Sequence, residues 1–283
     1  MDTACLDHIM TEAEHLQFER DGYLILEDAL SEEQVANLTS AVDRVAAIYR
    51  PQFGLGPHDL VHVRDFVGKD PQFLELLTWY RTFPKVWGVL GWHIQLYLSH
   101  LNVTPPEDPR KERKEDRLAW HQDSGRLNRD FETEPRPRVS VKVAYFLTDT
   151  HRDDCGNFYV IPGSHLKNKL DLPEDKETDH PDAVPVCVDP GTAVIFDRRI
   201  WHSRSKNYAP FARKALFYGY SYRWLRPRDD HTVSHILDEC TPIQKQMFGI
   251  THFGGHSYTT PRDEDVPLKF WIEEHLGKEA VVA

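Results

Sequence analysis

Two histidines and one aspartate have the residue types and spacing of a metal site. His121 and Asp123 are separated by one residue in the segment Trp-His-Gln-Asp-Ser-Gly (120–125), and His202 follows far downstream. Two imidazoles and one carboxylate are the ligands of the facial triad that binds non-haem Fe(II) and leaves three coordination positions open for small molecules. The pattern therefore predicts an iron site at these three residues.

The His-x-Asp spacing is not specific by itself, because the sequence contains it three times. His151 and Asp153 lie in a polar turn, and His180 and Asp182 lie in an acidic, proline-containing stretch. Such surroundings are typical of surface loops. Context therefore favours the triplet that begins at His121.

Length and composition indicate an ordinary globular protein. Of the 283 residues, 40% are apolar and 28% are charged, and the formal net charge is -11. We expect one domain over residues 1–283, since β-rich domains of this length are common. The negative charge argues against a nucleic-acid partner or an anionic membrane surface. The expected partner is a small-molecule substrate, and the oligomeric state is left open.

Targeting signals and cysteine motifs are lacking in the sequence. No apolar run approaches the roughly 20 residues of a membrane helix, and the first residues lack the pattern of a signal peptide. Cys5, Cys155, Cys187 and Cys240 are far apart and form no C-x-x-C pair, which indicates neither a disulfide framework nor a zinc knuckle. We expect a cytoplasmic location, where iron stays ferrous.

Helical patterns dominate residues 10–90, which we interpret as a helical support. A turn and a short strand cover 18–26, and Ser31 then begins a capped helix that should end just before Pro51. Pro71 begins a second helical stretch, and a third short helix is expected around 83–90. The segment 52–70 is expected to be a loop.

From Trp92 the hydrophobic period changes to two, and strands replace helices through residue 225. The first is a long strand with alternating faces, one of which carries His100 and Asn102. Further strands are expected at 139–147, 157–161, 184–188, 192–196 and 213–222, separated by Pro/Gly turns. Because no helical pattern intervenes, the core over 92–225 should be mainly β, a sandwich or jelly roll.

One polar segment interrupts this core and another follows it. Residues 105–117 are highly charged and broken by prolines, which predicts a solvated loop, although the position before His121 also allows a cover over a site. Residues 226–283 are expected to form a C-terminal cap of helices and loops. Its histidines have no carboxylate at ligand spacing and are interpreted as surface or packing residues: His231, His235, His252, His256 and His275.

Four segments in order resemble the phytanoyl-CoA dioxygenase family of non-haem iron, 2-oxoglutarate-dependent oxygenases. They are 120–123, 157–165 ending in Ile-Pro-Gly-Ser-His, 190–202 from Pro-Gly-Thr to Trp-His, and Arg213, and the likeness extends over about 16–225. The resemblance implies a double-stranded β-helix (cupin-like jelly roll) with N-terminal helices, and a dioxygenase that uses Fe(II), O₂ and 2-oxoglutarate, which is decarboxylated to succinate.

The same resemblance implies the roles of individual residues. It puts iron on His121, Asp123 and His202, and it puts the distal carboxylate of 2-oxoglutarate on Arg213, eleven residues after His202. A guanidinium suits this task because its planar fork makes two parallel bonds to a carboxylate. Some relatives have a serine or threonine where this chain has Arg204 and Ala215. The candidates for the second contact are therefore His100, Asn102 and Tyr145.

Alternatives to a hydroxylase of a small polar metabolite or natural-product intermediate remain open at this point. An oxygenase of the same family could desaturate or cyclise its substrate, and a jelly roll could bind a ligand or metal without catalysis. The halogenase branch lacks the carboxylate ligand, so Asp123 argues against it. A zinc hydrolase is disfavoured because no general base stands beside His121.

The substrate itself is expected to carry an anionic group. Basic residues crowd the segments around the expected ligands, and a local positive cluster on an acidic protein can focus an anion into a cleft. These residues are Arg126, Arg129, Arg198, Arg199, Arg204 and Lys206. The alternative is a neutral scaffold that packs against Trp79, Trp92 and Tyr145.

Overall fold

Side-chain caps fix where the two N-terminal helices begin. In the computed structural model, which describes residues 1–113, 117–175 and 177–281, Thr11 and Ser31 each form a complete capping box with the residue three positions on. Helix α1 spans Glu12–Asp21 and α2 spans Glu32–Gln52. Pro51 lies inside the last turn of α2, so the expected end before it is wrong.

The remaining helices are shorter. Helices α3 (Pro71–Leu76) and α4 (Phe83–Leu90) confirm the helical stretches expected there, and both have proline in the first turn. Later helices are α5 (Gly125–Asp130), α6 (Pro242–Met247) and α7 (Pro267–Leu276). Short 3-10 helices cover Thr3–His8, Val67–Lys69, Ser164–Leu166, Gly254–Tyr258, Asp263–Asp265 and Lys278–Val281. Within the described ranges, no helix is long and apolar enough to cross a bilayer.

Antiparallel strands form two facing sheets, which confirms the mainly β jelly roll. The strands are β1 (Tyr23–Leu26), β2 (Val61–Arg64), β3 (Ile94–Thr104), β4 (Ser140–Phe146), β5 (Phe158–Val160), β6 (Val184–Val186), β7 (Ala193–Asp197), β8 (His202–Arg204) and β9 (Arg213–Tyr222). Over the described residues the large sheet has the order β1-β7-β4-β9-β3-β2, and the small sheet has the order β6-β5-β8.

Two of these strands were not expected from the sequence. Strand β2 lies in the segment expected to be a loop, where Val61 and Val63 are buried and alternate with His62 and Arg64. Four residues are too short a run for periodicity to identify with certainty. Strand β8 begins at His202, and its three residues are likewise too few to form a recognisable pattern.

The large sheet separates two hydrophobic cores. On one face, α2, α3, α4 and the C-terminal cap pack over residues such as Leu101 and Tyr218, whose hydroxyl donates to the Phe73 carbonyl at 2.8 Å. On the other face, a smaller core that includes Phe146, Phe158 and Phe196 fills the space between the two sheets. The site residues lie on this second face.

A β-bulge in β3 changes which face its side chains occupy. The register against β9 shifts between Leu96 and Leu98, so that Leu96 packs under the helices whereas Leu98 and His100 line a cavity. The expectation that one alternating face runs from Trp92 to Asn102 is therefore wrong. Gly219 stands opposite the bulge, where a Cβ would lie 3.0 Å from Leu98 Cγ.

A buried ion-pair network supports the turn between β7 and β8. Asp197 is fully buried and accepts bonds from Arg138 Nε and Arg199, with a 2.7 Å contact to each guanidinium. Burial by itself raises the pKa of this carboxyl, but the bonds from Arg199 and Arg138 hold the pKa below its ordinary value. Arg138 also forms a bidentate pair with Glu19 of α1.

Replacing Asp197 with alanine should strongly destabilise the protein. The substitution leaves two largely buried guanidinium groups without their shared counter-ion, which typically costs about 3–5 kcal/mol. The measurement is the free energy of unfolding from urea denaturation. Asp43→Ala is the matched control, because it breaks an exposed pair with Lys214 and should cost less than about 1 kcal/mol. Equal losses in the two variants would contradict this assignment.

Candidate metal centre

A reciprocal backbone bridge aligns His121 with His202. The N–H of each residue donates to the carbonyl of the other at 3.0 Å, and the two imidazole centroids are 4.3 Å apart. Residues directly opposite in an antiparallel bridge project their side chains to the same side. Two residues 81 positions apart therefore present their imidazoles to one point.

The turn into α5 positions Asp123 beside the imidazoles. Its N–H donates to the Arg198 carbonyl at 3.0 Å, and its own carbonyl accepts from the Asn128 side chain at 2.8 Å. Ser124 then takes a left-handed conformation, with φ +63, and the chain enters the helix. As a result, Asp123 Oδ2 lies 4.0 Å from His202 Nε2.

The three expected ligands form one compact group. One ligand atom from each of His121, Asp123 and His202 lies within 4.8 Å of the others, and in the part of the chain that the structure describes this is the one such histidine/carboxylate/thiol group found. The other two His-x-Asp triplets converge on nothing comparable: His151 is exposed, and His180 Nδ1 bonds the nearby Asp182 N–H.

Backbone carbonyls orient both imidazoles for metal binding. His121 Nδ1 bonds the Ala119 carbonyl at 3.1 Å, and His202 Nδ1 bonds the Ile200 carbonyl at 2.9 Å. In each ring Nδ1 therefore carries the hydrogen, and the lone pair is on Nε2. Burial lowers the pKa of His202 to about 4, which keeps it neutral at pH 7. Two neutral nitrogens and one carboxylate fit Fe(II).

Lys142 is an additional charged group at the centre that sequence reasoning missed. Its Nζ lies 2.8 Å from Asp123 Oδ2, and both side chains are largely buried. Burial raises the pKa of Asp123, but the charge of Lys142, joined at low pH by that of protonated His202, outweighs it and holds the pKa well below its usual range. The clue in the sequence was a lysine at an interior position of an otherwise apolar strand.

The centre opens into a cavity of about 330 Å³ between the two sheets. This volume lies at the lower end of the range typical for small-molecule sites. Besides the three expected ligands, the polar side chains on its wall are His62, Arg64, Ser99, His100, Asn102, Lys142, Ser203, Arg204, Arg213, Arg228 and Asp229. Arg228 and Asp229 come from the segment expected to be only a cap, and His62 and Arg64 come from the strand that the sequence did not reveal.

Arg213 lies in this cavity as a buried cation without a counter-ion. The residue is 1% exposed, and its guanidinium carbon lies 5.0 Å from the Phe146 ring centroid. Across the described residues, its guanidinium has no carboxylate within 4.0 Å, and Nε has no hydrogen-bond partner. Burial, together with the charge of Arg204, lowers its pKa to about 9. Because a buried, unpaired charge is costly, this position favours an anion that pairs with it.

The residues expected to make the second contact with 2-oxoglutarate separate into two groups. His100 and Asn102 both line the cavity. Tyr145 does not: it is fully buried on the helix side of β4, and its hydroxyl is 2.6 Å from Thr82 Oγ1. Strand alternation explains the difference, because Lys142 occupies the cavity face of β4 and Tyr145, three positions on, falls on the other face.

Three residues of the basic cluster expected around the substrate contact other parts of the protein instead. Arg198 is buried and bonds Asn128, Arg199 bonds Asp197, and Arg126 pairs with exposed Asp130. Of the six residues in that cluster, Arg204 is the one that lines the cavity.

The tryptophans expected to pack against a neutral scaffold lie outside the cavity. Trp79 and Trp92 do not line the cavity, and their indole N–H groups donate to the carbonyls of Ala29 and Val281. Arg223, a second buried arginine of the β9 end, donates to the Gln246 carbonyl in the cap. His252, which has no carboxylate at ligand spacing in the sequence, contacts the Asp265 carboxylate at 3.1 Å through the fold.

A jelly roll whose cavity joins two histidines, one aspartate and an unpaired buried arginine defines the class of non-haem iron, 2-oxoglutarate-dependent oxygenases. The family model of phytanoyl-CoA dioxygenase (PhyH) matches residues 18–215. The chain therefore belongs to that family.

Individual relatives agree with this assignment. The ectoine dioxygenase of Sphingopyxis alaskensis is 24% identical over 241 residues, 72% of this chain and 73% of the relative. The dioxygenase andF of Emericella variicolor is 24% identical over 260 residues, 84% of each chain.

Solved structures share the fold. EctD from S. alaskensis with 2-oxoglutarate and 5-hydroxyectoine has a TM-score of 0.57 at 24% identity, over 75% of this chain and 76% of that one. HygX from Streptomyces hygroscopicus with nickel and 2-oxoglutarate has a TM-score of 0.60 at 17% identity, over 77% and 89% of the two chains.

Lys142→Met should increase the stabilisation that the protein gains from metal. Without metal, the variant leaves the Asp123 carboxylate buried and unpaired, which costs about 3–5 kcal/mol. In the variant, bound Fe(II) supplies the missing positive charge, and the repulsion between Fe(II) and Lys142 that exists in wild type is absent. The measurement is the Tm with and without Fe(II) under anaerobic conditions. Lys214→Met, on the outer face of β9, is the control; an equal Fe(II)-induced shift in wild type and Lys142→Met would refute the expected coupling.

Proposed function

We propose that this chain hydroxylates a small polar metabolite or natural-product intermediate in a reaction that depends on Fe(II), 2-oxoglutarate and O₂. The observation that carries the proposal is the meeting, in one cavity, of the His121/Asp123/His202 group with the unpaired guanidinium of Arg213. A metal site alone would suit many functions. A metal site with a buried anion site beside it suits a dicarboxylate that chelates the metal at one end and binds Arg213 at the other.

In this proposal His121, Asp123 and His202 hold the iron, which when bound supplies the oxidising chemistry. With two neutral imidazoles and one carboxylate as ligands, Fe(II) keeps one positive charge and favours a dianionic 2-oxo acid. The protein's part is to present Nε2 of both rings and to keep Asp123 ionised, as described above. Membership of the phytanoyl-CoA dioxygenase family supports the same ligand set.

Arg213 is proposed to bind the distal carboxylate of 2-oxoglutarate. Its guanidinium is confined between Phe146 and Phe217, with centroid distances of 5.0 and 5.8 Å, so its direction is largely fixed. A pre-oriented guanidinium loses little entropy when it binds a carboxylate. His100 and Asn102 are proposed as further contacts. The Oδ1 of Asn102 is already engaged by His62, which leaves the amide N–H₂ for a ligand.

The substrate is proposed to carry an anionic group, on different grounds from the basic cluster expected in the sequence. Among the described residues, five cationic side chains and two carboxylates line the cavity, which leaves three positive charges in excess. The two charges of Fe(II) and the two of 2-oxoglutarate cancel, so this excess persists in the loaded enzyme. An anionic group on the substrate would reduce it.

A non-catalytic binding module is the alternative from another class. Such a module needs a metal or an anion site but has no use for both in one cavity. A succinate-release screen of the Fe(II)-loaded protein against a metabolite library separates the two, because turnover of 2-oxoglutarate appears only if the protein is catalytic. The product mass then distinguishes hydroxylation, which adds one oxygen atom, from desaturation, which removes two hydrogen atoms.

Anaerobic addition of Fe(II) and 2-oxoglutarate should produce the weak visible charge-transfer band of a chelated 2-oxo acid. Asp123→Ala should lose both this band and substrate-dependent succinate release, because it removes one of three ligands. Asp182→Ala, in another His-x-Asp triplet, is the matched control and should keep both. A wild-type protein that binds Fe(II) tightly without developing the band would defeat the cofactor assignment.

Arg213→Ala should weaken 2-oxoglutarate binding much more than Fe(II) binding. Loss of a buried charge-assisted pair costs on the order of 2–5 kcal/mol, so the KM for 2-oxoglutarate should rise about 30-fold or more. The KM of Arg213→Lys should lie between those of wild type and Arg213→Ala, since lysine keeps the charge but lacks the planar fork of the guanidinium. Lys214→Ala, one residue on and paired with Asp43 outside, is the control. An unchanged 2-oxoglutarate dependence in Arg213→Ala would move the carboxylate site elsewhere.

A further inference from the structure

Strand β2 contributes two polar side chains to the cavity wall. His62 pairs with Asn102 and Arg64 pairs with His100 in the antiparallel ladder with β3. Side chains at alternate positions share a face, and directly opposed residues of two strands share it too. All four side chains line the cavity, which places Arg64 on the same wall as the proposed 2-oxoglutarate contacts.

A chain of hydrogen bonds holds the Arg64 guanidinium in place. His62 Nδ1 lies 2.6 Å from Asn102 Oδ1, and since an amide oxygen can only accept, Nδ1 is the donor. His62 Nε2 is then an acceptor, and it receives the Nε–H of Arg64 at 3.3 Å. Burial lowers the pKa of His62, which agrees with the neutral ring that this arrangement requires.

This arrangement leaves the terminal N–H₂ groups of Arg64 unused. Among the described residues, no carboxylate lies within salt-bridge distance of Arg64, and its one side-chain hydrogen bond is the one to His62. An exposed arginine is usually solvated and disordered in direction. Here Nε is fixed, so the two terminal groups form a fork with a set orientation, the geometry that binds carboxylate or phosphate.

Arg228 adds a second cation from the C-terminal segment. Its backbone N–H donates to the Tyr97 carbonyl at 2.7 Å, which anchors the segment at the bulge of β3, and its side chain lines the cavity. Besides burial, the charges of Arg64, Lys142 and Arg228 lower the pKa of His62.

The neighbouring carboxylate of Asp229 is engaged by Ser99. Asp229 Oδ2 accepts from the Ser99 N–H at 2.5 Å and from Ser99 Oγ at 2.7 Å. In the described part of the chain, neither Arg64 nor Arg228 lies within 4.0 Å of this carboxylate. Both arginines therefore remain available to an anion that enters the cavity.

We infer that Arg64 and Arg228 form the subsite for the anionic group, a carboxylate or a phosphate, of the substrate. This inference rests on the proposed function, in which Arg213 binds 2-oxoglutarate and a different group must hold the substrate. Arg64 makes the bidentate contact and Arg228 adds charge. His62 acts as a positioning residue, because it touches Arg64 rather than the substrate.

The test uses the protein loaded anaerobically with Fe(II) and 2-oxoglutarate, titrated by calorimetry with methylphosphonate and with acetate. Wild type should bind at least one probe, and the tighter one identifies the anionic group as phosphate or carboxylate. Arg64→Gln should weaken that binding about tenfold or more, and Arg228→Gln should weaken it by a smaller factor. Arg126→Gln, a surface arginine paired with Asp130, is the matched control and should bind as wild type does.

The charge-transfer band monitors the proposed function in the same samples. It should form equally in wild type and Arg64→Gln. A normal band with no probe binding in wild type, equal probe binding in Arg64→Gln, or a loss of 2-oxoglutarate affinity in that variant would each overturn the inference. If the band never forms in wild type, the proposed function fails, and titration of the metal-free protein with the same probes then decides the Arg64 subsite.

A double-mutant cycle tests the positioning role of His62. His62→Phe removes the acceptor for Arg64 Nε and should weaken probe binding several-fold in the wild-type background, whereas it should have no effect in the Arg64→Gln background. His62→Gln offers a side-chain oxygen and should restore part of the affinity. Additive effects of His62→Phe and Arg64→Gln would show that His62 does not act through Arg64.

Discussion

The reciprocal backbone bridge between His121 and His202 is the constraint on which the candidate metal centre depends. It joins the segment that enters the jelly roll from the charged loop to the first residue of β8. Neither imidazole could reach the other through local structure. The Asp197 network acts on the same region, because its arginines support the turn whose Arg198 carbonyl holds the Asp123 backbone. Main-chain hydrogen bonds therefore determine where the ligand side chains lie.

The parts of the fold that the sequence predicted are those with a strong local signal. The capping box at Ser31, the proline at the start of α3, and long β-branched runs such as that of β4 all identified elements that the structure contains. The short strands β2 and β8 escaped because three or four residues carry too little periodicity. The bulge in β3 escaped because an extra residue leaves no mark on composition.

The same division applies to the site residues. His121, Asp123, His202 and Arg213, which the residue types and family spacing single out in the sequence, all line the cavity. Tyr145 lies outside it, because strand alternation from Lys142 puts its side chain on the other face of β4. Arg64, Arg228 and Asp229 could not be found at all, since they reach the cavity through strand pairing and through a C-terminal segment folded back on β3. Electrostatics follows the same rule: an acidic chain of net charge -11 encloses a cationic cavity that no average over the sequence reveals.

The bulge between Leu96 and Leu98 determines which face of the sheet each later side chain of β3 occupies. Residues before it belong to the helix-side core, and residues of the same parity after it belong to the cavity. Deletion of one residue here would exchange the two compartments, placing Leu101 and Val103 in the polar cavity and His100 and Asn102 in the apolar core. A substitution on this strand therefore changes one side chain, whereas a change in its length changes the surroundings of every residue that follows, unless the loops at its ends absorb it.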